Sequence, residues 1–356
     1  MRRNRLRSTL VLFATLALLA LPAVAAAETP FEGPLFGLGT DHNGDTIVAD
    51  AARGVATADG DLIAALPGVT DVAASDRGWI WAITGLGDVP GDQTLYKVYL
   101  DGAVVPFADL GAFEEKRNPH PDEIDSNPYS VADLGRGAAV VADAGGNTLL
   151  RIDKSGRVGV IAVLPDELVS TANAKAIVEE IVSNLFGFPV TCDTLPAEAP
   201  QDAFDTCGLP DMIPAQSVPT SVAIAPNGDF VVGELKGFPA PTGESRLWRI
   251  PANARNADCG DPLQCRVAHD GFTSIVDVAF GHDGTLYVAE LDEKSWFAVE
   301  LLLFEGLPLD LGLGTVNACR GRCVPVTSAP LLSALTVDGT GNVWTAGLFG
   351  PVQPLS

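Results

Sequence analysis

The sequence is poor in the residues that usually carry catalysis. It has four histidines and two methionines in 356 residues, and only 22 Lys and Arg against 45 Asp and Glu. It has no Gly-x-Ser-x-Gly elbow, which removes the usual signature of an α/β-hydrolase nucleophile. His-Glu-x-x-His, Walker and dinucleotide fingerprints are also missing, as is a 12-residue EF-hand ligand pattern. The shortage of positive charge argues against nucleic-acid binding and against anionic membranes. Only one long apolar run exists, Leu10 to Leu21, and it is too short for a comfortable membrane span. It follows Arg2, Arg3, Arg5 and Arg7 and precedes small residues at Ala23 to Ala27. This is the pattern of a secretory signal peptide over residues 1–27, with an exported chain from 28 to 356. No lipobox cysteine follows it. Removing that segment leaves 18 basic residues against 45 acidic, a net charge of −27 in place of −23. Such acidity reads as affinity for cations or as a device for solubility and salt tolerance.

A short pattern recurs six times. Its anchors are Gly44, Gly78, Gly137, Gly228, Gly284 and Gly341. Six residues before each stands an aliphatic residue: Leu38, Val72, Val131, Val222, Val278 and Leu335. A strand-like run follows each anchor, such as Thr46-Ile-Val-Ala-Asp50 or Leu286-Tyr-Val-Ala-Glu290. Apolar strand, glycine turn and apolar strand make a hairpin. Two further strands follow most hairpins, as at 95–100 and 103–107, or at 148–153 and 158–163. Four antiparallel strands in each of six repeats predict an all-β, six-bladed β-propeller. The last repeat has room for about one strand after Gly347, so closure of blade six falls to residues 28–33. One segment breaks the pattern. Residues 165–218 read as an inserted helix, Leu168 to Phe186, followed by a Pro-rich, Cys-bearing flap between blades three and four.

The six cysteines all lie in the exported part, which suggests disulfides. Each lies close to one neighbour within a loop. This predicts Cys192–Cys207, Cys259–Cys265 and Cys319–Cys323. Zinc is the alternative, but no Cys-x-x-Cys pair supports it.

The repeat also aligns candidate site residues. Seven positions before the anchors stand Gly37, Asp71, Ser130, Ser221, Asp277 and Ala334; six after stand Asp50, Thr84, Asp143, Glu234, Glu290 and Gly347. These positions are expected to face each other at the open end of each hairpin, pairing Ser130 with Asp143, Ser221 with Glu234 and Asp277 with Glu290. The open ends would gather at one mouth of the central channel. Asn127, Tyr129 and the loop from Glu114 to Asp125, with His120, would join the rim. Three roles are open to these groups. The acids could cap turns by accepting backbone N–H bonds. They could hold Ca²⁺ at Asp143, Glu234, Asp277 and Glu290. Two with unequal pKa could act as acid and base.

Several stretches resemble the ScyD/ScyE family. They are Asp125-Ser-Asn-Pro-Tyr-Ser-Val131, Val141-Ala-Asp-Ala-Gly-Gly-Asn-Thr-Leu-Leu-Arg151, Val218-Pro-Thr-Ser-Val222, Gly233-Glu-Leu-Lys-Gly-Phe-Pro239 and Asp270-Gly-Phe-Thr-Ser-Ile-Val-Asp277. The similarity runs from about residue 110 to 290. It implies an exported six-bladed propeller with NHL- or TolB-like repeats and carries no established activity. The expectation is therefore a secreted, monomeric binding scaffold that holds a small molecule or a protein at the acidic mouth. A Ca-type hydrolase or lactonase at the same mouth is the alternative.

Overall fold

A computed structural model describes residues 29–85, 87, 90–121 and 124–355. The expected signal peptide lies outside them. Blade one is built from β1 (Leu35–Thr40), β2 (Thr46–Asp50), β3 (Gly54–Thr57) and β4 (Leu62–Ala65). Blade two follows with β5 (Val69–Ala74), β6 (Ile80–Thr84), β7 (Pro90–Val98) and β8 (Val104–Asp109). A short helix, α1 (Gly111–Arg117), leads into blade three: β9 (Pro128–Gly135), β10 (Ala138–Asp143), β11 (Thr148–Ile152) and β12 (Val158–Val163). Next comes the insertion, with β13 (Glu167–Ser170), α2 (Ala172–Phe186), α3 (Gln201–Cys207) and β14 (Met212–Ala215). Blade four has β15 (Pro219–Ile224), β16 (Phe230–Glu234) and β17 (Ser245–Ile250). Its connection then lends β18 (Ala257–Asp258), parallel to β12, to the outer edge of blade three, and β19 (Arg266–Phe272) completes blade four. Blade five has β20 (Ile275–Phe280), β21 (Leu286–Glu290), helix α4 (Trp296–Leu303), β22 (Gly314–Arg320) and β23 (Arg322–Ala329). Blade six is β24 (Leu332–Val337), β25 (Val343–Gly347) and β26 (Val352–Pro354). The six-bladed propeller read from the repeat is the observed fold.

The second strands are apolar on consecutive positions because both faces of each blade are covered. Val140 packs into the core between blades three and four, whereas Val141 packs into the core between blades two and three. The protein thus has one core per seam. Trp81, fully buried, fills the seam between blades two and three, and its Nε1–H donates to Asp133 Oδ1 of blade three at 2.8 Å. The seam between blades six and one is the smallest, built on Leu35, Leu38, Val48, Ala334 and Ala346.

Ring closure differs from the expectation. Residues 29–34 form no strand, and blade six keeps three strands. Closure rests on direct packing of β1 against β24, with Leu35 N–H donating to Leu348 C=O at 2.7 Å and Gly339 N–H to Gly44 C=O at 2.9 Å. The two chains approach so closely there that a Cβ on Gly44 would lie 2.6 Å from Gly339 Cα. A shared strand is dispensable where glycines let the two blade edges touch.

The insertion is also only partly helical where a helix was expected. Its first residues, 167–170, pair with 212–215 as a two-stranded ribbon, and the helix starts at Ala172. Val178 and Val182 pack on Val190, Ala199 and Ala203 in a small core of the insertion itself. Ile177 and Ile181, on the other side of α2, pack against Ala298 of α4. All three disulfides join the expected partners. Cys319 and Cys323 are cross-strand partners in the β22–β23 hairpin rather than members of a loop between blades. Among the described residues no helix is long and apolar enough to cross a membrane.

The seam between blades one and six should open first. Amides of β1 and β24 are expected to exchange hydrogen faster than those of β10 and β11, because their seam buries the least apolar area. Leu35→Ala should lower stability by about 2–5 kcal/mol, the usual range for a fully buried leucine. Slower exchange in β1 than in β10 would contradict this account.

Candidate functional site

Every inner hairpin carries a β-bulge at the same place. The register skips Phe36, Thr70, Tyr129, Thr220, Val276 and Ser333, the residues eight before each glycine anchor. A bulge adds one residue to one strand and shifts every side chain beyond it by one position. The expected facing pairs are therefore displaced. Asp143 opposes Pro128 and Ser130 opposes Ala142; Glu234 opposes Pro219 and Ser221 opposes Gly233; Glu290 opposes Ile275 and Asp277 opposes Ala289.

The acids that end the second strands point into turns, where donors meet them. Asp50 accepts from the N–H groups of Glu32, Ala52 and Arg53. Asp143 accepts from Asn127 N–H at 2.7 Å, Gly146 N–H at 3.1 Å and Ser126 Oγ at 2.8 Å. Glu290 accepts from Thr273 N–H, Thr315 Oγ1 and Asn317 Nδ2. Glu234 is fully buried and accepts from Trp248 Nε1 at 2.8 Å. Its Oε1 lies 2.9 Å from Lys236 Nζ, which also reaches Glu167 Oε2 at 2.7 Å. Arg246 bridges the same two glutamates, so this ion network fastens strand β13 of the insertion to blade four. Among the described residues no three His, Cys, Asp or Glu side chains converge as a metal site. Of the four residues expected to share Ca²⁺, Asp143 stands on blade three, Glu234 on blade four, and Asp277 and Glu290 on the two strands of blade five, each among its own donors.

The acids seven before the anchors play a different part. The first strand of each blade has an edge that faces the channel, so its N–H groups have no neighbouring strand. Asp71 accepts from Val72 N–H and from Val131 N–H of blade three, both at 2.8 Å. Asp277 does the same with Val278 N–H and with Leu335 N–H of blade six. Ser130 Oγ accepts from Val222 N–H of blade four at 3.2 Å. Ser221 Oγ, fully buried, has no partner. Burial pushes the Asp71 carboxyl up to about 7. Asp277, in the opposite blade of six, is raised well above the usual range by burial and then by the charge of Asp71. The Tyr129 hydroxyl is raised by burial and by both aspartates.

Above this belt the bulged residues open into a cavity of about 60 Å³. Phe36, Tyr129, Thr220, Val276 and Ser333 supply one tier of its wall; Ala144, Leu235, Leu291 and Leu348, each one position beyond the end of its second strand, supply another. Of the residues expected at the mouth, Asn127 and Tyr129 line it, while Asp50, Asp71, Ser130, Asp143, Ser221, Glu234, Asp277 and Glu290 do not. Helix α4 closes the top through Val299, Glu300 and Phe304. That helix occupies the apolar run from Ala298 to Leu303, whose length suits a strand as well as a helix. It is held by Trp296, whose N–H donates to Ser274 Oγ and whose indole donates to Lys236 C=O, and by α2 behind it. Lys294, just before α4, pairs with Glu180 of α2 at 2.8 Å.

Glu300 and Glu114 had no signal in the repeat. Glu300 is raised to about 7 by burial and then by Glu305. Glu114, on α1, is buried with both carboxylate oxygens unpartnered; burial and then the charges of Asp143 and Asp125 raise it to about 7. His120, the histidine of that rim, lies 3.4 Å from Asp166 at the start of the insertion.

No family model matches the chain, and no curated protein matches it. Solved structures do. A gluconolactonase from Xanthomonas campestris aligns with a TM-score of 0.53 at 12% identity, over 92% of this chain and 89% of its own. A structural genomics protein of unknown function from Bacteroides thetaiotaomicron aligns with a TM-score of 0.52 at 12% identity, over 92% of this chain and 69% of its own. At that identity the likeness shows the fold alone.

The buried acids set a pH dependence. Asp71 and Glu114 near 7 and Asp143 near 6 lie above their unfolded values of 3.8, 4.5 and 3.8. A raised acid binds its proton more tightly in the fold, so its stabilisation is complete below about pH 4 and fades as pH rises through 6 to 7. The melting temperature should climb by several degrees from pH 8 to pH 5. Asp71→Asn should flatten that slope. A midpoint that falls on acidification over this range would refute the assignment.

Proposed function

We propose that this chain is an exported, ScyD/ScyE-like β-propeller that binds a small ligand at the mouth closed by α4. The observation that carries this reading is the bulge repeated in all six inner hairpins. It turns one side chain per blade towards the axis, and five of these six side chains line a small, mostly apolar cavity under α4. The acidic residues once expected at the mouth serve capping and seam closure, so recognition rests on Phe36, Tyr129, Val276 and Leu291 with Glu300. Three disulfides favour an oxidising compartment, in keeping with the N-terminal export pattern. The hydrolase reading has fold likeness behind it, which is a weak warrant for chemistry. Among the described residues, no nucleophile paired with an adjacent base lines the cavity.

The test uses toluene as a probe and the Trp296 indole as the reporter. Trp296 anchors the lid, so its N–H resonance should shift on titration, while those of Trp79 and Trp344 stay in place. Ser333→Leu, which fills the cavity, should abolish the shift. If toluene leaves Trp296 unmoved, the mouth is not a binding site.

A further inference from the structure

The cavity wall is mostly apolar, Asn127, Tyr129, Thr220 and Ser333 add neutral polar groups, and Glu300 of α4 is the one carboxylate that lines it. Among the described residues no lysine, arginine or hydrogen-bond donor pairs with that carboxylate. Its nearest charge influence is another acid, Glu305. Burying a carboxylate without a partner is costly unless a proton or a cation compensates it. Across the cavity stand Phe36 and Tyr129, from blades one and three. Their rings meet edge to face with centroids 5.9 Å apart. They can meet because the bulge residue of blade two, between them, is the small Thr70. Aromatic faces attract cations through their quadrupole, most strongly where water is excluded. A half-buried carboxylate and two aromatic rings lining one small space therefore favour a compact organic cation over a neutral molecule or an anion. The mature chain's charge of −27 draws cations in the same sense from a distance.

We infer that the ligand held under α4 is a small organic cation with an ammonium head, seated between the Glu300 carboxylate and the rings of Phe36 and Tyr129. This rests on the binding reading above and names its ligand class. An inorganic cation fits less well, since a hard ion needs six or more oxygen ligands and this wall offers mainly carbon.

The experiment compares choline with its uncharged carbon isostere, 3,3-dimethylbutan-1-ol, on the exported chain. Binding is read from the Trp296 indole resonance and by calorimetry. The two probes share shape, so their difference isolates the charge. Choline should bind at least tenfold more tightly than the alcohol. Glu300→Gln should bring choline down to the level of the alcohol and leave the alcohol unchanged. That variant removes a partly buried charge beside Glu305, and its melting temperature should equal or exceed the parent's, which checks its folding. Glu115→Gln, on the exposed side of α1, should leave the tenfold preference intact and so exclude a bulk-charge effect. Equal binding of choline and the alcohol would overturn the cation inference and leave the binding site standing. A preference that survives Glu300→Gln would overturn it too. Binding of toluene with no binding of choline would also reject it, whereas silence from all three probes would remove the site itself.

Discussion

A propeller leaves one strand edge per blade facing the channel, and no further strand can fit there. The N–H groups on that edge must find acceptors or remain buried and unpaired, which costs about 1–3 kcal/mol each. This chain meets the demand with very few side chains. Asp71 and Asp277 take two N–H groups apiece, one from their own strand and one from the next blade, and Ser130 takes a fifth. The three bonds that cross to the next blade also fix the angle between neighbouring blades. Two acids on opposite blades must then share a dry channel, which explains why both are pushed towards their protonated forms.

The bulge and the belt act together. The skipped residue turns towards the axis, and the residue after it turns sideways to the next blade. One inserted position per hairpin thus divides the inner strand into two uses: a wall facing the cavity, and a clasp between blades. The same division explains the second strands. Their last acid is drawn into the turn by donors, and the next residue, small or apolar, faces the mouth.

The repeat was legible because spacing survives sequence drift: aliphatic, small residue, glycine and strand recur whatever occupies the loops. The disulfides were legible because four to fifteen residues leave little choice of partner. The register was not legible. Phe36, Thr70, Tyr129, Thr220, Val276 and Ser333 share no chemistry, so nothing in the sequence marks them as the skipped position. An error of one residue then moved the acids from turns to the mouth. Helix α4 was hidden for another reason: six residues with one glutamate among apolar neighbours satisfy a strand and a short helix equally. Its helical state comes from tertiary support by Trp296 and α2. Ring closure was misread because the sequence shows where a strand could come from, while two glycines in contact show in the sequence only as turn residues.

The helical elaborations of this propeller lie at one end. Helix α1, the insertion with α2 and α3, and helix α4 leave the blades between second and third strands or between successive blades, the connections at the mouth end. The connections at the other end are tight turns, such as the one at Asp41 to Asp45, where Asp41 accepts from Asn43 and Asp45 N–H groups, apart from residues 251–265 of blade four, which carry β18 and the Cys259–Cys265 disulfide. Long connections cost ordering entropy and are kept short where nothing is gained. Here the extra chain is ordered by specific contacts: Asn173 Nδ2 donates to Ala240 C=O and to Ser295 Oγ, Asn184 Nδ2 donates to Pro308 C=O, and Glu167 joins Lys236 and Arg246. The bonds to Ser295 and Pro308 reach the segment that carries α4, and the others tie the insertion to blade four. The insertion has a small core of its own, yet the other face of its main helix is spent on holding a lid. On the binding function we propose, a helix braced from behind would keep Glu300 at the cavity without ordering it at each binding event, and that preorganisation would be the contribution of the additional chain.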